Sequence, residues 1–287
     1  MATILVDGIA YGMLLFVLAC GLSVTLGLMN FVNLAHGSFA MAGGYVAVTL
    51  ANRAGAPLAV ALAAAFMIPA LAGAILERTL YRPIYKRSHL DQVLFTIGLV
   101  FMSVAGVDYF MGSQQVFVQL PHWLEGQFEL PGGVRVGRYR MLIVVLCGLI
   151  AFALQAVLVH TRFGSRLRAA VDDARTARGL GIPVNRVFAF TFAAGSGLAG
   201  LGGALGAEIL GLDPQFPLKF MIYFLIVVAV GGTSSITGPL VAAILLGIGD
   251  VAGKYYVPKF GAFAIYAIMI AMLVWRPHGL IARSESH

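Results

Sequence analysis

Residues that could carry out chemistry are few in this chain, and they match no catalytic or metal-binding pattern. There is no HExxH and no CxxC, and the two cysteines, Cys20 and Cys147, lie in separate apolar segments, as small core residues do. The string nearest to a P-loop runs from Gly249 to Tyr255. Its glycines are one residue too close, and a tyrosine stands where Ser or Thr must ligate magnesium. We therefore predict no catalytic, cofactor-binding or metal-binding residue in this chain.

The titratable residues inside apolar segments have simple explanations. Lys254 follows Asp250 by four residues, which predicts an ion pair whose lysine reaches towards water. His36 lies in a polar interruption, where a turn or helix-cap role is favoured over proton transfer. Buried carboxylates mark proton routes in membrane proteins, so their scarcity argues against a proton-coupled carrier.

One polar stretch, from Arg162 to Arg186, interrupts an otherwise apolar sequence. Apolar residues recur in it at spacings of three and four, which predicts one face of a short helix: Leu167, Ala170, Val171, Ala174 and Ala177. Asp172 is spaced to pair with Arg168 and Arg175 on the polar side. The stretch is either a basic loop that only sets membrane topology or a docking helix for a soluble partner.

Composition explains what surrounds these residues. Of 287 residues, 60% are hydrophobic and 11% are charged, whereas soluble domains carry about 25% charged residues. The sequence therefore predicts an all-α, polytopic membrane protein with about eight or nine membrane segments, some of them short or broken. Candidate segments are Gly8–Leu28, Ser38–Leu50, Leu58–Leu80, Val93–Gly112, Met141–His160, Val187–Gly211, Phe220–Val230, Leu240–Val251 and Ala262–Trp275.

The net charge of +7 comes from basic residues in short loops, which fits the positive-inside rule better than nucleic-acid binding. Placing Arg162–Arg186 in the cytoplasm also places Tyr81–Asp91 and the tail Arg276–His287 there. The N-terminus and the loop Ser113–Arg140 are then external. That loop is predicted to form either a short hairpin or an interfacial helix.

Two glycine-rich polar interruptions stand out among the membrane segments, Gly27–Ser38 and Gly231–Pro239. Lipid cannot satisfy the backbone groups that such breaks expose, and paired breaks in two halves of a chain indicate a translocation route. Tight turns between helices are the alternative. On the first reading, the residues predicted to line or flank the path are Asn30, Asn33, His36, Gly37, Ser38, Thr233, Ser234, Ser235 and Gly238.

Small residues form a stripe on the segment Val187–Gly211. Gly195, Ala199, Gly203 and Ala207 step by four, a spacing that lets another helix approach closely. Packing inside one subunit is the default expectation, and packing against a second permease is the alternative.

Five strings in order resemble LivH-type permeases of branched-chain amino acid ABC importers. They are GLMNFVNLAHGSFAMAGGYVA (27–47), ERTLYRPIYKRS (77–88) followed by TIGL (96–99), RLRAAVDDARTARGLGIPVNRVFAFTFAAGSGLAGLGG (166–203), GGTSSITGPLVAAILLG (231–247) and RPHGL (276–280). The resemblance covers nearly the whole chain, which makes it more specific than any one string.

The resemblance implies a single permease domain, residues 1–287, in the bacterial inner (plasma) membrane. Its expected partners are a second, LivM-type permease, two ABC ATPase subunits that bind ATP and Mg²⁺, and a periplasmic substrate-binding protein. The cytoplasmic loop 162–186 would dock the ATPase through Arg166, Leu167, Arg168, Ala169, Ala170, Val171, Asp172, Ala174 and Gly181. The substrate would be a branched-chain amino acid or a related amino-acid-like or carboxylate solute. A self-sufficient secondary carrier or channel is the alternative function.

Overall fold

The computed structural model describes residues 2–29, 31, 33–85, 87–130, 134–232, 236–276 and 279–280. Helices make up most of this part of the chain, and π-helical turns at Thr49–Arg53 and Glu77–Tyr81 extend two of them. In chain order the helices are α1 (Ala2–Met29), α2 (His36–Val48), α3 (Leu58–Leu76), α4 (Arg82–Ile84), α5 (His89–Met111), α6 (Arg138–His160), α7 (Arg162–Asp172), α8 (Ala174–Gly179), α9 (Val184–Gly206), α10 (Phe216–Gly231), α11 (Thr237–Tyr256) and α12 (Gly261–Trp275).

Each of the nine predicted membrane segments corresponds to one of these helices. Six helical spans, those that include α1, α3, α5, α6, α9 and α11, are long and apolar enough to cross a membrane. Three others are shorter, with 13 residues in α2, 16 in α10 and 15 in α12. The predicted fold class, a helical membrane protein with short and broken segments, is confirmed.

Small residues of α9 are buried against other helices of the same chain. A Cβ atom at Gly203 would lie 1.9 Å from the Ala40 carbonyl oxygen of α2, and one at Gly200 would lie 2.3 Å from the Ala65 carbonyl oxygen of α3. Gly195 approaches Gly21 of α1 in the same way. The default expectation, that this stripe packs inside one subunit, is confirmed.

The loops gather at two ends of the helix bundle. At one end, which we call the hairpin end, Asp7 forms an ion pair with Arg140, and the Asn52 side-chain amide donates to the Phe117 carbonyl at 2.8 Å. The strands β1 (Gln127–Leu130) and β2 (Val134–Gly137) form an antiparallel hairpin there, one of the two structures predicted for this loop.

The opposite end, which we call the arginine end, carries α7 and α8, directly after α6. This grouping of loops is the one that the predicted alternation of membrane segments requires. That the arginine end faces the cytoplasm stays a prediction from charge.

Candidate coupling surface and translocation path

The basic stretch folds as two helices instead of the single predicted helix. Asp173 has extended backbone angles, φ −150° and ψ 97°, and ends α7. Its carboxylate then caps α8, accepting hydrogen bonds from the backbone N–H groups of Arg175 at 2.8 Å and Thr176 at 3.1 Å. The Thr176 hydroxyl and these backbone donors stabilise the ionised form, so the pKa of Asp173 is lowered. An Asp at an N-cap is a strong helix start, which explains the break.

The apolar side of this helix pair is buried in the chain's own structure. Leu167 and Ala170 are each 1% exposed, and Ala170 packs in a small cluster with Ala177 and Val184, the first residue of α9. Gly164 fits closely at the start of α7, because a Cβ there would lie 2.1 Å from the Leu158 carbonyl oxygen of α6. The pair is therefore fixed to both α6 and α9.

The opposite side of the pair is exposed, polar and basic. Of the residues predicted to dock an ATPase, Arg166, Arg168, Asp172 and Gly181 lie on this side. Leu167 and Ala170 lie on the buried side, and Ala169, Val171 and Ala174 are half-buried. The predicted set therefore divides into a scaffold and an outward-facing surface.

The ion pairs predicted for Asp172 do not form. Among the described residues, no cation lies within 4.0 Å of its carboxylate. The Arg168 guanidinium instead donates to the Leu158 carbonyl oxygen, which joins α7 to α6.

Sequence reasoning missed one prominent member of the exposed surface. Leu180 lies in the turn between α8 and α9 and is 77% exposed, while Gly181 after it has φ +82°, a conformation that favours glycine. An apolar side chain held out among arginines is the kind of residue that anchors a protein interface.

The first interruption is anchored to neighbouring helices by its own polar groups. His36 is 2% exposed, and its Nε2 donates to the Leu18 carbonyl oxygen of α1 at 2.8 Å. Ser38 donates to Ser103 of α5 at 2.6 Å, since the Ser103 hydroxyl proton is used on the Val100 carbonyl. The turn or helix-cap role expected for His36 is thus replaced by a bond between helices, since its ring contacts α1, and α2 has no side-chain cap among the described residues.

Two further members of the first predicted set are placed close by. The Asn33 side chain, 1% exposed, accepts a hydrogen bond from the Tyr81 hydroxyl at 3.4 Å. A Cβ at Gly37 would lie 3.0 Å from Pro217 Cα in α10, so these backbones nearly touch. Asn30 lies outside the described residues.

The start of the second interruption contacts Gly279 and Leu280, which follow α12. Gly232, with φ +82°, follows α10, and a Cβ at Gly279 would lie 2.8 Å from Gly232 Cα. The Leu280 N–H donates to the Val230 carbonyl at 2.9 Å. Gly238 lies in the first turn of α11. Thr233, Ser234 and Ser235 lie outside the described residues.

Both interruptions lead into helices that begin at one level of the bundle. Helix α11 runs antiparallel to α1, with Gly8 against Ile248 and Gly12 against Ile244. Continuing this register along both helices places Thr237, the first residue of α11, opposite Ala19 of α1. His36, the first residue of α2, bonds to Leu18. Two helices thus start beside the middle of α1.

The ion pair predicted from spacing, with its lysine reaching towards water, is present. Lys254 contacts the Asp250 carboxylate at 2.5 Å; the lysine side chain is 52% exposed and the aspartate 1%. Among the described residues, no group of three or more His, Cys, Asp or Glu is placed to hold a metal ion.

This architecture agrees with what comparison with known proteins shows. Residues 4–273 match the model of a family described as the permease component of branched-chain amino acid transport systems. The chain belongs to this family. The family resemblance read from the five strings is confirmed, and the chain is an integral membrane transport protein. No solved structure matches it.

Similar relatives within the family come from bacteria and an archaeon. The chain is 28% identical over 295 residues to the high-affinity branched-chain amino acid permease protein BraD of Pseudomonas aeruginosa, covering 98% of this chain and 95% of that one. It is 31% identical over 297 residues to the probable LivH of Methanocaldococcus jannaschii, covering 96% and 91%. It is 25% identical over 293 residues to LivH of Escherichia coli K12, covering 97% and 94%.

Proposed function

We propose that this family member is the permease subunit of an ATP-driven importer in the plasma membrane. It moves a branched-chain amino acid, or a related amino-acid-like or carboxylate solute, into the cytoplasm. ATP and Mg²⁺ bind to two separate ATPase subunits, a second permease completes the membrane part, and a substrate-binding protein delivers the solute outside.

The observation that carries the proposal is the two-sided helix pair α7–α8. Its apolar side is buried against α6 and α9, while its exposed side presents arginines and Leu180. A separate ATPase can move membrane helices only through a surface that is rigidly attached to those helices and accessible to a soluble partner. The sequence itself carries no complete P-loop, so ATP hydrolysis is assigned to that partner.

The interruptions supply the proposed path. The N-termini of α2 and α11 lie beside the middle of α1, where the positive ends of the two helix dipoles favour the negative end of a substrate. The substrate class rests on the family, whose relatives are named as branched-chain amino acid permeases. Selectivity is expected to reside mainly in the binding protein.

Reconstitution tests the proposal against the self-sufficient carrier. In liposomes, uptake of radiolabelled leucine should require ATP, the ATPase subunits and the binding protein together. Uptake by this chain alone without ATP would establish the carrier instead.

A matched pair of variants tests the docking surface. Leu180→Asp places a charge on an exposed apolar residue of the arginine end, and Trp123→Asp does the same at the hairpin end, where Trp123 is 62% exposed. Leu180→Asp should reduce substrate-stimulated ATP hydrolysis about tenfold or more, as expected for a central interface residue. Trp123→Asp should not. Equal activity in both variants would remove Leu180 from the docking surface.

A further inference from the structure

A cleft opens at the hairpin end, between the last turns of α5 and the segment that leads into α10. Its volume is about 630 Å³, within the range of small-molecule sites. Phe101, Val104 and Ala105 of α5 form one apolar wall. Val104 also packs with Ala35 and Leu218, so the floor of the cleft lies beside the first interruption.

Opposite charges face each other across this cleft. Asp213 is already occupied: one oxygen accepts the Gln215 N–H at 2.8 Å and the other pairs with Lys219. Asp108 accepts the Ser113 hydroxyl at 2.7 Å, but among the described residues it has no cation within 4.0 Å. One wall therefore offers a carboxylate without a counter-ion, and the other offers the Lys219 ammonium, whose side chain is 56% exposed.

A buried hydroxyl without a hydrogen-bond partner among the described residues lies near the cleft, although it is not part of its lining. Tyr45 is 5% exposed, and its hydroxyl makes no hydrogen bond to any described residue. It lies two turns after Ser38 on α2, on the side that faces α5. The residue before it, Gly44, packs closely against Leu212, which directly precedes the cleft residue Asp213. Buried hydroxyls are nearly always paired, so this one is poised for a ligand.

We propose that the cleft holds a free α-amino acid with an apolar side chain on its way to the first interruption. The α-ammonium group contacts Asp108, the α-carboxylate contacts Lys219 and the Tyr45 hydroxyl, and the side chain rests on the apolar wall. The inference rests on the proposed function and assigns a substrate contact site to it.

The chemistry of the cleft selects this class of ligand. An anion without an ammonium group would meet two carboxylates, Asp108 and Asp213, against one lysine. An uncharged apolar solute would leave the Tyr45 hydroxyl unpaired and would separate Asp108 and Lys219 from water, which is costly. A zwitterionic amino acid pairs its ammonium group with Asp108 and its carboxylate with Lys219.

Cysteine protection tests the site in the intact transporter. Cys20 and Cys147 are buried, so a cysteine introduced at Gln215, on the rim of the cleft, will dominate the reaction of this chain with a membrane-impermeant thiosulfonate, read by mass spectrometry of this subunit. The assembly that carries Gln215→Cys is purified and then labelled with and without leucine. Uptake of leucine is measured in the same preparation. Gln127→Cys, on the exposed hairpin strand, is the matched control.

The expected result is specific protection. For a site with a Kd of about 1 mM, leucine at about 10 mM slows modification of Gln215→Cys about tenfold. Gln127→Cys is unaffected. Leucine methyl ester and 4-methylpentanoate, which lack the carboxylate and the ammonium respectively, protect less. Asp108→Asn abolishes protection by leucine, and Tyr45→Phe, which deletes only an unpaired hydroxyl, weakens it.

Two results would overturn the site while the proposed function stands. One is unchanged labelling of Gln215→Cys by leucine in an assembly that imports leucine. The other is equal protection by 4-methylpentanoate, which would show an apolar cleft indifferent to the ammonium group. Absence of ATP-dependent import by the wild-type assembly, whether of leucine or of any related amino-acid-like or carboxylate solute, would instead overturn the proposed function, and this inference with it.

Discussion

Leu167 and Leu180 lie 13 residues apart in the same basic stretch. Replacing either leucine by alanine should lower ATP hydrolysis, but for a different physical reason in each variant. Leu167 is 1% exposed and fixes α7 to the membrane helices, whereas Leu180 is 77% exposed. Leu167→Ala removes scaffold packing and leaves the exposed surface intact. Leu180→Ala removes a surface contact and leaves the scaffold intact. Together the two variants separate the attachment of the helix pair from its recognition by a partner.

The burial of each residue sets the expected size of the effect. Shortening a buried leucine to alanine costs about 2–5 kcal/mol. Taking about 2.8 kcal/mol, the equilibrium for local opening of α7 rises about a hundredfold, because each 1.4 kcal/mol is a factor of ten. A surface substitution changes stability by no more than about 0.5 kcal/mol, so Leu180→Ala should change opening by less than about threefold.

Hydrogen exchange of the α7 amides, read by mass spectrometry on the purified permease without ATPase subunits, measures this opening directly. Exchange should accelerate in Leu167→Ala alone. ATP hydrolysis in the full assembly should fall in both variants, through loss of attachment in one and loss of contact in the other. Equal exchange in the two variants would refute the division of this segment into a buried scaffold and an exposed surface.

Three other substitutions test separate parts of the structure. Gly203→Ala should lower the melting temperature of the purified protein markedly, since its Cβ would overlap the carbonyl oxygen of Ala40, whereas Gly98→Ala, with open space around it, should not. Asp173→Ala should increase hydrogen exchange in α8. The lowered pKa of Asp173 means that its cap stabilises α8 above the unfolded pKa and is lost as pH falls through the folded pKa, so wild type should approach the variant in acid. Gly37→Leu should abolish uptake, because its side chain would displace Pro217 beside the first interruption, and normal uptake would exclude close packing there.

Most of the architecture could be predicted from hydrophobic patterning. Nine apolar segments became nine helices because the bilayer leaves the backbone little alternative. The exact course of the basic stretch could not be predicted this way. Its apolar spacing continued past residue 173, but a local competitor, the Asp173 side chain capping α8, ended the first helix. The spacing of apolar residues identifies which face of a helix is buried, whereas capping side chains determine where the helix begins and ends.

The candidate sites were predictable only in part, for a related reason. A helical pattern identifies the apolar face but does not say whether that face contacts a partner or the chain itself. The sequence assigned Leu167 and Ala170 to partner contact, and the structure buries both within the chain. The exposure of Leu180 could not be predicted, because a single leucine between two glycines belongs to no periodic apolar pattern. The cleft at Asp108 lies between α5 and the segment that leads into α10, which are about a hundred residues apart in the sequence, so no local spacing reveals it.

The contacts also explain how movement at the arginine end would reach the path. Helix α8 is joined to α9 through the cluster of Ala170, Ala177 and Val184. Gly203 of α9 then presses directly on the Ala40 backbone of α2, with no side chain between them to absorb displacement. Helix α2 in turn begins at His36, which is tied to α1 at mid-depth. Under the proposed function, closely packed backbones would carry a movement of the helix pair to the first interruption, and Gly203→Ala should weaken coupling between ATP hydrolysis and uptake as well as stability.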